Sequence, residues 1–133
     1  MANDDPRAGR RPGFVGWALD RAQRDDLLRR LPPRYRDVVA DHVTLKFGGG
    51  EGLLPTDTWG DIVGEADDGT GVQAMVVAIR GTTDRPDGST YHITWSLAPG
   101  RDAKESNEVI ARLGWRSFSE PVRVRLEPKA YGR

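Results

Sequence analysis

The sequence predicts an α+β domain built from antiparallel strands and two helices. Periodicity is the first observation: most apolar segments alternate with period two or are short and apolar throughout, and only two have amphipathic-helix spacing. Order is the second, since the segments run strand, helix, strand, strand and then strand, strand, helix, strand, which makes two similar halves. Length is the third, because 133 residues form one domain with a sizeable core.

The first half begins with a strand and a helix. Phe14–Leu19 is apolar on both faces, as in a central strand that is covered on both sides. Asp20 is placed as an N-cap, and Gln23 three residues later is expected to complete a capping box. The helix ends before Pro32, which cannot continue it. Its apolar stripe is Leu27, Leu28 and Leu31.

Three further strands follow in the middle of the chain. They are His42–Phe47, Trp59–Ala66 and Val72–Ile79. Gly48–Gly50 is predicted to be a flexible turn, because the three glycines lack the spacing and the following helix of a phosphate-binding loop. A hairpin-type loop at 67–71 joins the second and third of these strands.

The second half mirrors the first. Tyr91–Leu97 is predicted to be a strand, and residues 103–113 a helix that ends near Gly114. The residues of this helix expected to face inward are Val109, Ile110 and Leu113. The last strand is expected to have one buried and one polar face, with Val122, Val124 and Leu126 alternating with Arg123, Arg125 and Glu127.

Composition excludes several classes of function. Twenty basic and twenty acidic residues cancel, so any contact with RNA is expected to be local. The absence of cysteine excludes disulfides and thiol catalysis and fits a reducing compartment. Residues 1–12 are predicted to form a disordered tail, which leaves a single domain at 13–133. With no secretory apolar region and no run of membrane-spanning length, we expect a cytoplasmic protein without a membrane partner.

One motif occurs twice and contains both histidines of the chain. It is His-Val-Thr-Leu at 42–45 and His-Ile-Thr-Trp at 92–95. Residues two apart on a strand share a face, so His42 and Thr44 point the same way, and His92 and Thr94 do likewise. Each half of the chain therefore offers an imidazole beside a hydroxyl.

This pairing suits acid–base catalysis at a phosphate. Histidine gains and loses a proton near neutral pH, so His42 and His92 can serve as acid and base in one reaction. Thr44 and Thr94 can each donate a hydrogen bond to a non-bridging phosphoryl oxygen. The alternative is a pair of core histidines with satisfied hydrogen bonds. A repeated offset between histidine and threonine is improbable by chance, which favours catalysis.

Two further residues have the strand parity of the motifs. Lys46 and Ser96 are therefore predicted to face the same site and to contact substrate. For Lys46 an edge position in water is the open alternative. Two histidines fifty residues apart, without cysteine or a further ligand at metal-binding spacing, predict no metal site, and no cofactor is expected.

The paired H-x-T motifs resemble those of the 2H phosphoesterase superfamily. The resemblance extends to the flanks, where Gly13–Leu19 is similar to the family's opening strand and Val72–Ile79 to the strand before the second motif. The segment Ser96–Gly100, followed by Ser106 and Asn107, is similar to the stretch after that motif. The chain is most similar to the small cyclic-phosphodiesterase-like branch, related to the cyclic phosphodiesterase domain of fungal and plant tRNA ligases.

The resemblance implies both a fold and an activity. The fold would be bilobal, with two antiparallel sheets about a pseudo-twofold axis, a helix packed on each, and a central cleft. The activity would be metal-independent hydrolysis of a 2′,3′-cyclic phosphate at an RNA end or on a nucleotide, in RNA processing or repair. We assign His42 as the acid and His92 as the base. A 2′-phosphate product is expected by similarity alone.

Two alternatives remain open on sequence grounds. The same site could act on another phosphodiester, such as a cyclic oligonucleotide signal or a cyclic phosphate of an ADP-ribose derivative. It could instead be a non-catalytic module that binds phosphate or an RNA end. The expected partner is thus an RNA end with a cyclic phosphate or a cyclic nucleotide, and the expected oligomeric state is a monomer.

Overall fold

The computed structural model describes residues 13–47 and 54–132. The predicted tail at 1–12 and the predicted turn at Gly48–Gly50 therefore lie outside the described residues. In chain order the elements are β1 (Phe14–Leu19), α1 (Arg21–Arg30), β2 (Asp37–Val38), β3 (His42–Phe47), β4 (Trp59–Asp67), β5 (Val72–Ala78), β6 (His92–Leu97), α2 (Glu105–Leu113) and β7 (Arg116–Tyr131).

The described strands form one antiparallel sheet, which confirms the α+β class. Their order is β2-β6-β5-β4-β7-β1-β3. The long strand β7 joins two parts of this sheet: residues between Arg116 and Arg125 pair with β4, and Leu126–Tyr131 pair with β1. Strand β7 therefore belongs to both parts of the sheet and connects them directly.

The two ends of the sheet meet through a short link. β2 and β3 are the terminal strands of the order, yet only residues 39–41 separate them along the chain. The Ala40 amide donates to the Thr94 carbonyl of β6 at 2.9 Å, and the Asp41 carbonyl accepts from the Leu19 amide of β1 at 2.9 Å. Since this link is bonded to both ends, the sheet curls until β3 lies against β6.

The main hydrophobic cluster lies on one face of the sheet, which we call the inner face. Every strand except β2 contributes to it, and α1 adds Leu27. Its largest members are Trp17 and Trp95, both almost fully buried, and each large side chain removed from water contributes about 1.5–3 kcal/mol to folding. The opposite face of the sheet is called the outer face below.

The helix α2 covers part of the outer face. Alternate residues of β5 divide between the two faces: Met75 and Val77 belong to the main cluster, whereas Ala74 and Val76 pack with Val109 of α2 in a second cluster. The two helices thus lie on opposite sides of β5. Neither of them, nor any other helix in the described parts of the chain, has the length and apolarity needed to cross a membrane.

The start of α1 is fixed by polar contacts. Asp20 is the N-cap, as predicted, and its carboxylate accepts from the Gln23 amide at 3.1 Å. The Gln23 side chain does not close the capping box. It bridges to β7 instead, donating to the Arg123 carbonyl at 3.0 Å and accepting from the Arg125 amide at 2.8 Å. It satisfies backbone groups of β7 beyond the point where the pairing with β1 ends.

Both motif strands contain a bulge directly after the motif threonine. In β3, Thr44 pairs with Gly16 and Lys46 pairs with Val15, so Leu45 has no partner. The same shift occurs in β6, where Thr94 pairs with Ala74 and Ser96 pairs with Gln73. An extra residue reverses the side-chain alternation beyond it. The residues after each bulge therefore point to the other face of the sheet.

Most sequence predictions of elements are confirmed, with three differences. The short strand β2 was not predicted, because two exposed residues carry no periodic signal. The last strand is far longer than Val122–Leu126, although its predicted buried and polar faces are confirmed. Leu113, which was expected to face inward, is exposed at the end of α2, where the chain turns at Gly114.

A substitution in β1 tests the close approach of β1 and β3. A Cβ atom at Gly16 would overlap the carbonyl oxygen of Val43. This oxygen belongs to the backbone of β3, so it cannot move aside as the end of a flexible side chain could. Gly16→Ala should therefore lower the free energy of unfolding in urea by about 1–3 kcal/mol, through overpacking. Ala18→Gly, on the same face of the same strand, is the control and should cost about 1 kcal/mol or less. Unchanged stability in Gly16→Ala would contradict the packing.

Candidate active site

The two motifs come together where the ends of the sheet meet. The Ala40 amide is bonded to the Thr94 carbonyl, so the residues after Ala40 run on toward the level of His92. The next strand, β3, begins at His42 and lies against β6, which begins at His92. The two rings are close enough for the charge of His42 to act on the protonation of His92.

Both histidines point away from the main core. Their neighbours Val43 and Ile93 are fully buried in the inner-face cluster. Because side chains alternate along a strand, His42 and His92 lie on the outer face, each partly exposed. Three cavities, of about 560, 490 and 180 Å³, contact neither ring. Because both rings lie on the outer face where β3 meets β6, the candidate site is the seam between these two strands.

His92 is held as a neutral ring. Its Nδ1 lies 2.8 Å from the Thr90 carbonyl, which can only accept, so Nδ1 carries the proton and Nε2 keeps its lone pair. Burial lowers the pKa of His92 below its usual value, and the positive charges of Arg85 and His42 lower it further. The hydrogen bond to Thr90 opposes this shift without reversing it. At neutral pH His92 is a proton acceptor.

His42 has a different partner. Its Nδ1 donates to the Asp41 carboxylate at 3.0 Å, and Arg21 lies 3.8 Å from the other oxygen of that carboxylate. A carboxylate on Nδ1 fixes the ring orientation and stabilises positive charge that forms on the imidazole. The two motif histidines thus occupy unlike electrostatic environments, although their local sequences are alike.

Two aromatic rings flank His42. Phe14 and Tyr131 stack at 4.5 Å between ring centroids, and their centroids lie 5.0 and 5.2 Å from that of His42. Burial, with the negative charges of Asp41 and Glu127, raises the pKa of Tyr131 to about 12. The phenol therefore remains protonated at neutral pH. This aromatic pair could pack against a nucleobase, since flat apolar rings favour stacking.

The two motif threonines are not equivalent. Both are largely buried, with about 9 % of Thr44 and 8 % of Thr94 exposed. The Thr94 hydroxyl lies 2.8 Å from the Ser106 hydroxyl and 3.2 Å from the Ala103 carbonyl, so it ties β6 to the start of α2. Among the described residues, the Thr44 hydroxyl has no such partner. The prediction that both bind phosphate stays a prediction, and the structure favours Thr44.

Lys46 and Ser96 are not placed beside the motif residues. The bulges at Leu45 and Trp95 turn both side chains to the face opposite the motif threonines. Lys46 is exposed there. The Ser96 hydroxyl is fully buried, donates to Gln73 at 2.6 Å and accepts from the backbone amides of residues 34 and 35. The prediction that these two side chains share a face with the motif residues is therefore wrong, whereas their contact with a substrate stays a prediction.

Several residues of the site were missed from the sequence. Asp41 precedes His42 directly, so adjacency was an available signal. Arg85 lies in the loop before His92, almost fully buried, and its guanidinium is held by Asp87 at 2.9 and 3.1 Å. Phe14 and Tyr131 come from the two ends of the domain, and only the register between β1 and β7 reveals that they are paired.

Neither a metal cluster nor a relative identifies the site. Within residues 13–47 and 54–132, no group of three or more His, Asp or Glu side chains is arranged to hold a metal ion. Comparisons with protein-family models, with curated proteins and with solved structures find no match to this chain.

The proximity of the two rings can be measured by titration. In a pH series followed by NMR of the ring resonances, the pKa of His92 should lie below the usual value of 6.5. His42→Asn should raise it, because a neighbouring positive charge is removed. Arg36→Gln removes an exposed arginine that pairs with Asp37 of β2 and should leave it unchanged. An identical His92 titration in His42→Asn would show that the rings do not share a site.

Proposed function

We propose that this protein is a metal-independent phosphodiesterase that opens 2′,3′-cyclic phosphates at RNA ends or on nucleotides. One observation carries the proposal. Two histidines converge on the seam between β3 and β6, one neutral with an unprotonated Nε2 and the other braced by a carboxylate. A base and an acid of this kind are what hydrolysis of a phosphodiester requires.

The proposed reaction uses His92 as the base. Nε2 of His92 removes a proton from water as the water oxygen bonds to phosphorus. The bond from phosphorus to one ribose oxygen breaks, and Nε2 of His42 gives its proton to that oxygen. Asp41 stabilises the His42 imidazolium before transfer, since it accepts from Nδ1. The second water proton stays on the phosphate, so the product is a phosphomonoester.

Charge on the phosphoryl oxygens needs donors and cations nearby. Thr44 supports the proposal because its hydroxyl is not bonded to another described residue and can donate to a non-bridging oxygen. Arg85 adds positive charge on the His92 side, where it already lowers the pKa of that ring. Thr94 could donate only if its proton turned from the Ala103 carbonyl. Thr44 is thus the stronger candidate.

The bilobal fold is part of the proposal. Each half of the chain supplies one motif strand with a bulge after its threonine, and β7 is shared between the halves. This repetition supports a pseudo-twofold relation with the seam as the central cleft. The two helices depart from it, because they lie on opposite sides of β5. The proposed pseudo-twofold axis therefore relates the two motif strands and does not relate the two helices.

The first test is hydrolysis of a 2′,3′-cyclic mononucleotide and of an oligonucleotide that ends in the same group. Turnover should persist in excess chelator and follow a bell-shaped pH profile. His42→Ala and His92→Ala should each lose about 10²–10⁴-fold in kcat, since each removes one proton transfer. Product analysis identifies which ribose oxygen keeps the phosphate.

Other outcomes of this test are equally informative. If the protein instead hydrolyses a cyclic oligonucleotide or an ADP-ribose cyclic phosphate, that phosphodiester is the substrate. Tight binding without turnover would indicate a binding module. Full activity in either alanine variant that retains the native circular dichroism spectrum would falsify the two-histidine mechanism.

A second test separates the acid from the base. A phenolate leaves without protonation, so an aryl phosphodiester needs a base but no acid. On that substrate His42→Ala should retain nearly all wild-type activity, whereas His92→Ala should lose about 10²-fold or more. Asp41→Asn should follow His42→Ala with a smaller loss on the cyclic phosphate, about tenfold, because it weakens the acid without removing it. The opposite pattern would reverse the assignment.

A further inference from the structure

A polar stripe on β7 leads along the outer face from the candidate site. Val124 and Leu126 are buried in the main cluster, so the side chains between and beyond them point outward. The outward residues are Arg123, Arg125, Glu127, Lys129 and Tyr131. Three of them are basic and one is acidic. The stripe belongs to the same face as His42, because Ala18 of β1 pairs with both His42 and Glu127.

The far end of the stripe forms a groove with an exposed aromatic ring. About 47 % of Trp59 is exposed, and the Arg123 guanidinium lies 3.8 Å from the centre of its ring. The groove has a volume of about 560 Å³ and is lined on its other side by Asp20 and Gln23. Arg123 also pairs with Asp61 at 3.1 Å, which holds the guanidinium in place over the indole.

The distance from this groove to His42 suits a short strand of nucleic acid. His42 lies level with Glu127 and two strands away, or about 10 Å across the sheet. Arg123 is four residues further along β7, or about 13 Å. The direct path is therefore roughly 16 Å, which about five stacked nucleotides span at roughly 3.4 Å each.

The side chains along this path match single-stranded nucleic acid. An exposed tryptophan offers a stacking surface to any base, and an arginine guanidinium beside it can also stack. Arg125 lies between this platform and the level of His42, where it can contact a backbone phosphate. Glu127 is level with His42, and Lys129 lies past it, level with Thr44. A duplex would keep its bases stacked on each other, so an unpaired strand uses this surface better.

We propose that the Trp59 groove and the β7 stripe bind the unpaired nucleotides that precede the terminal phosphate of an RNA substrate. The inference rests on the proposed phosphodiesterase function and specifies its substrate as a polynucleotide end. The groove takes a base against Trp59 and Arg123, and the stripe carries the backbone toward His42. A mononucleotide does not reach the groove.

The test compares substrates of increasing length. For unpaired RNAs ending in a 2′,3′-cyclic phosphate, kcat/KM should rise with length and level off near about five nucleotides. Trp59→Ala should lower kcat/KM for the long substrate about tenfold or more and leave the cyclic mononucleotide unchanged. Arg123→Gln with Arg125→Gln should reduce the dependence of log KM on log salt, by about 0.7 for each phosphate that is no longer neutralised.

Two control variants match these changes. Trp115→Ala removes an exposed tryptophan from another groove, which also contains Arg34 and Glu65. Arg36→Gln removes an exposed arginine that, like Arg123, is paired with an aspartate. Both should leave length dependence and salt dependence as in the wild type. Equal loss in Trp115→Ala and Trp59→Ala, or no gain with length in the wild type, would overturn the inference.

Binding distinguishes failure of this inference from failure of the proposed function. The probe is an unpaired five-nucleotide RNA with an ordinary 3′ hydroxyl, measured by fluorescence anisotropy. One outcome is that the wild type binds this RNA without hydrolysing any of the substrates. If Trp59→Ala then weakens binding about tenfold and Trp115→Ala does not, the RNA-binding surface is supported although the phosphodiesterase function has failed. If the RNA does not bind, the surface assignment is wrong, whatever the activity on mononucleotides.

Discussion

The link at residues 39–41 is the constraint on which the rest of the structure depends. It joins the two terminal strands of the sheet, and its hydrogen bonds to Thr94 on one side and Leu19 on the other hold those ends together. Ala40 is fully buried and has a φ of 41°, a conformation that a residue with a side chain adopts at a cost of about 1–3 kcal/mol. The same bonds that close the curl also bring β3 against β6. The hydrogen bonds that close the sheet therefore also assemble the candidate site.

Asymmetry arises within this closed frame from the immediate surroundings of each ring. His92 is partly buried, faces a neutral carbonyl through Nδ1 and has Arg85 nearby. Burial and Arg85 disfavour its charged form, whereas the carbonyl favours it. His42 sits between a carboxylate and two aromatic rings. Two copies of one motif thus acquire opposite electrostatic neighbours. This difference favours one division of roles, with His92 as the base and His42 as the acid.

The sequence predicted what depends on local pattern. The α+β class, the buried and polar faces of β7, the Asp20 cap and the shared face of each histidine with its motif threonine all follow from alternation or from capping chemistry. The short strand β2 could not be predicted, since two exposed residues gain their strand character only from pairing with β6. Gln23 was assigned to its own helix because its contact with β7 spans about a hundred residues. The partnership of Phe14 with Tyr131 has the same origin.

Because of the two bulges, alternation predicted the side-chain directions of each motif strand only up to its threonine. With unbroken alternation, Lys46 and Ser96 would flank the site and each motif would supply its own phosphate-binding group. The extra residue turns both away, and Trp95 is instead buried in the core, where its indole donates to the Leu31 carbonyl at 2.7 Å. Positive charge near the seam must then come from elsewhere in the chain: Arg85 from the loop before β6 and Lys129 from β7. Each motif strand carries its imidazole and hydroxyl, while the groups that would hold the rest of a substrate depend on the tertiary fold.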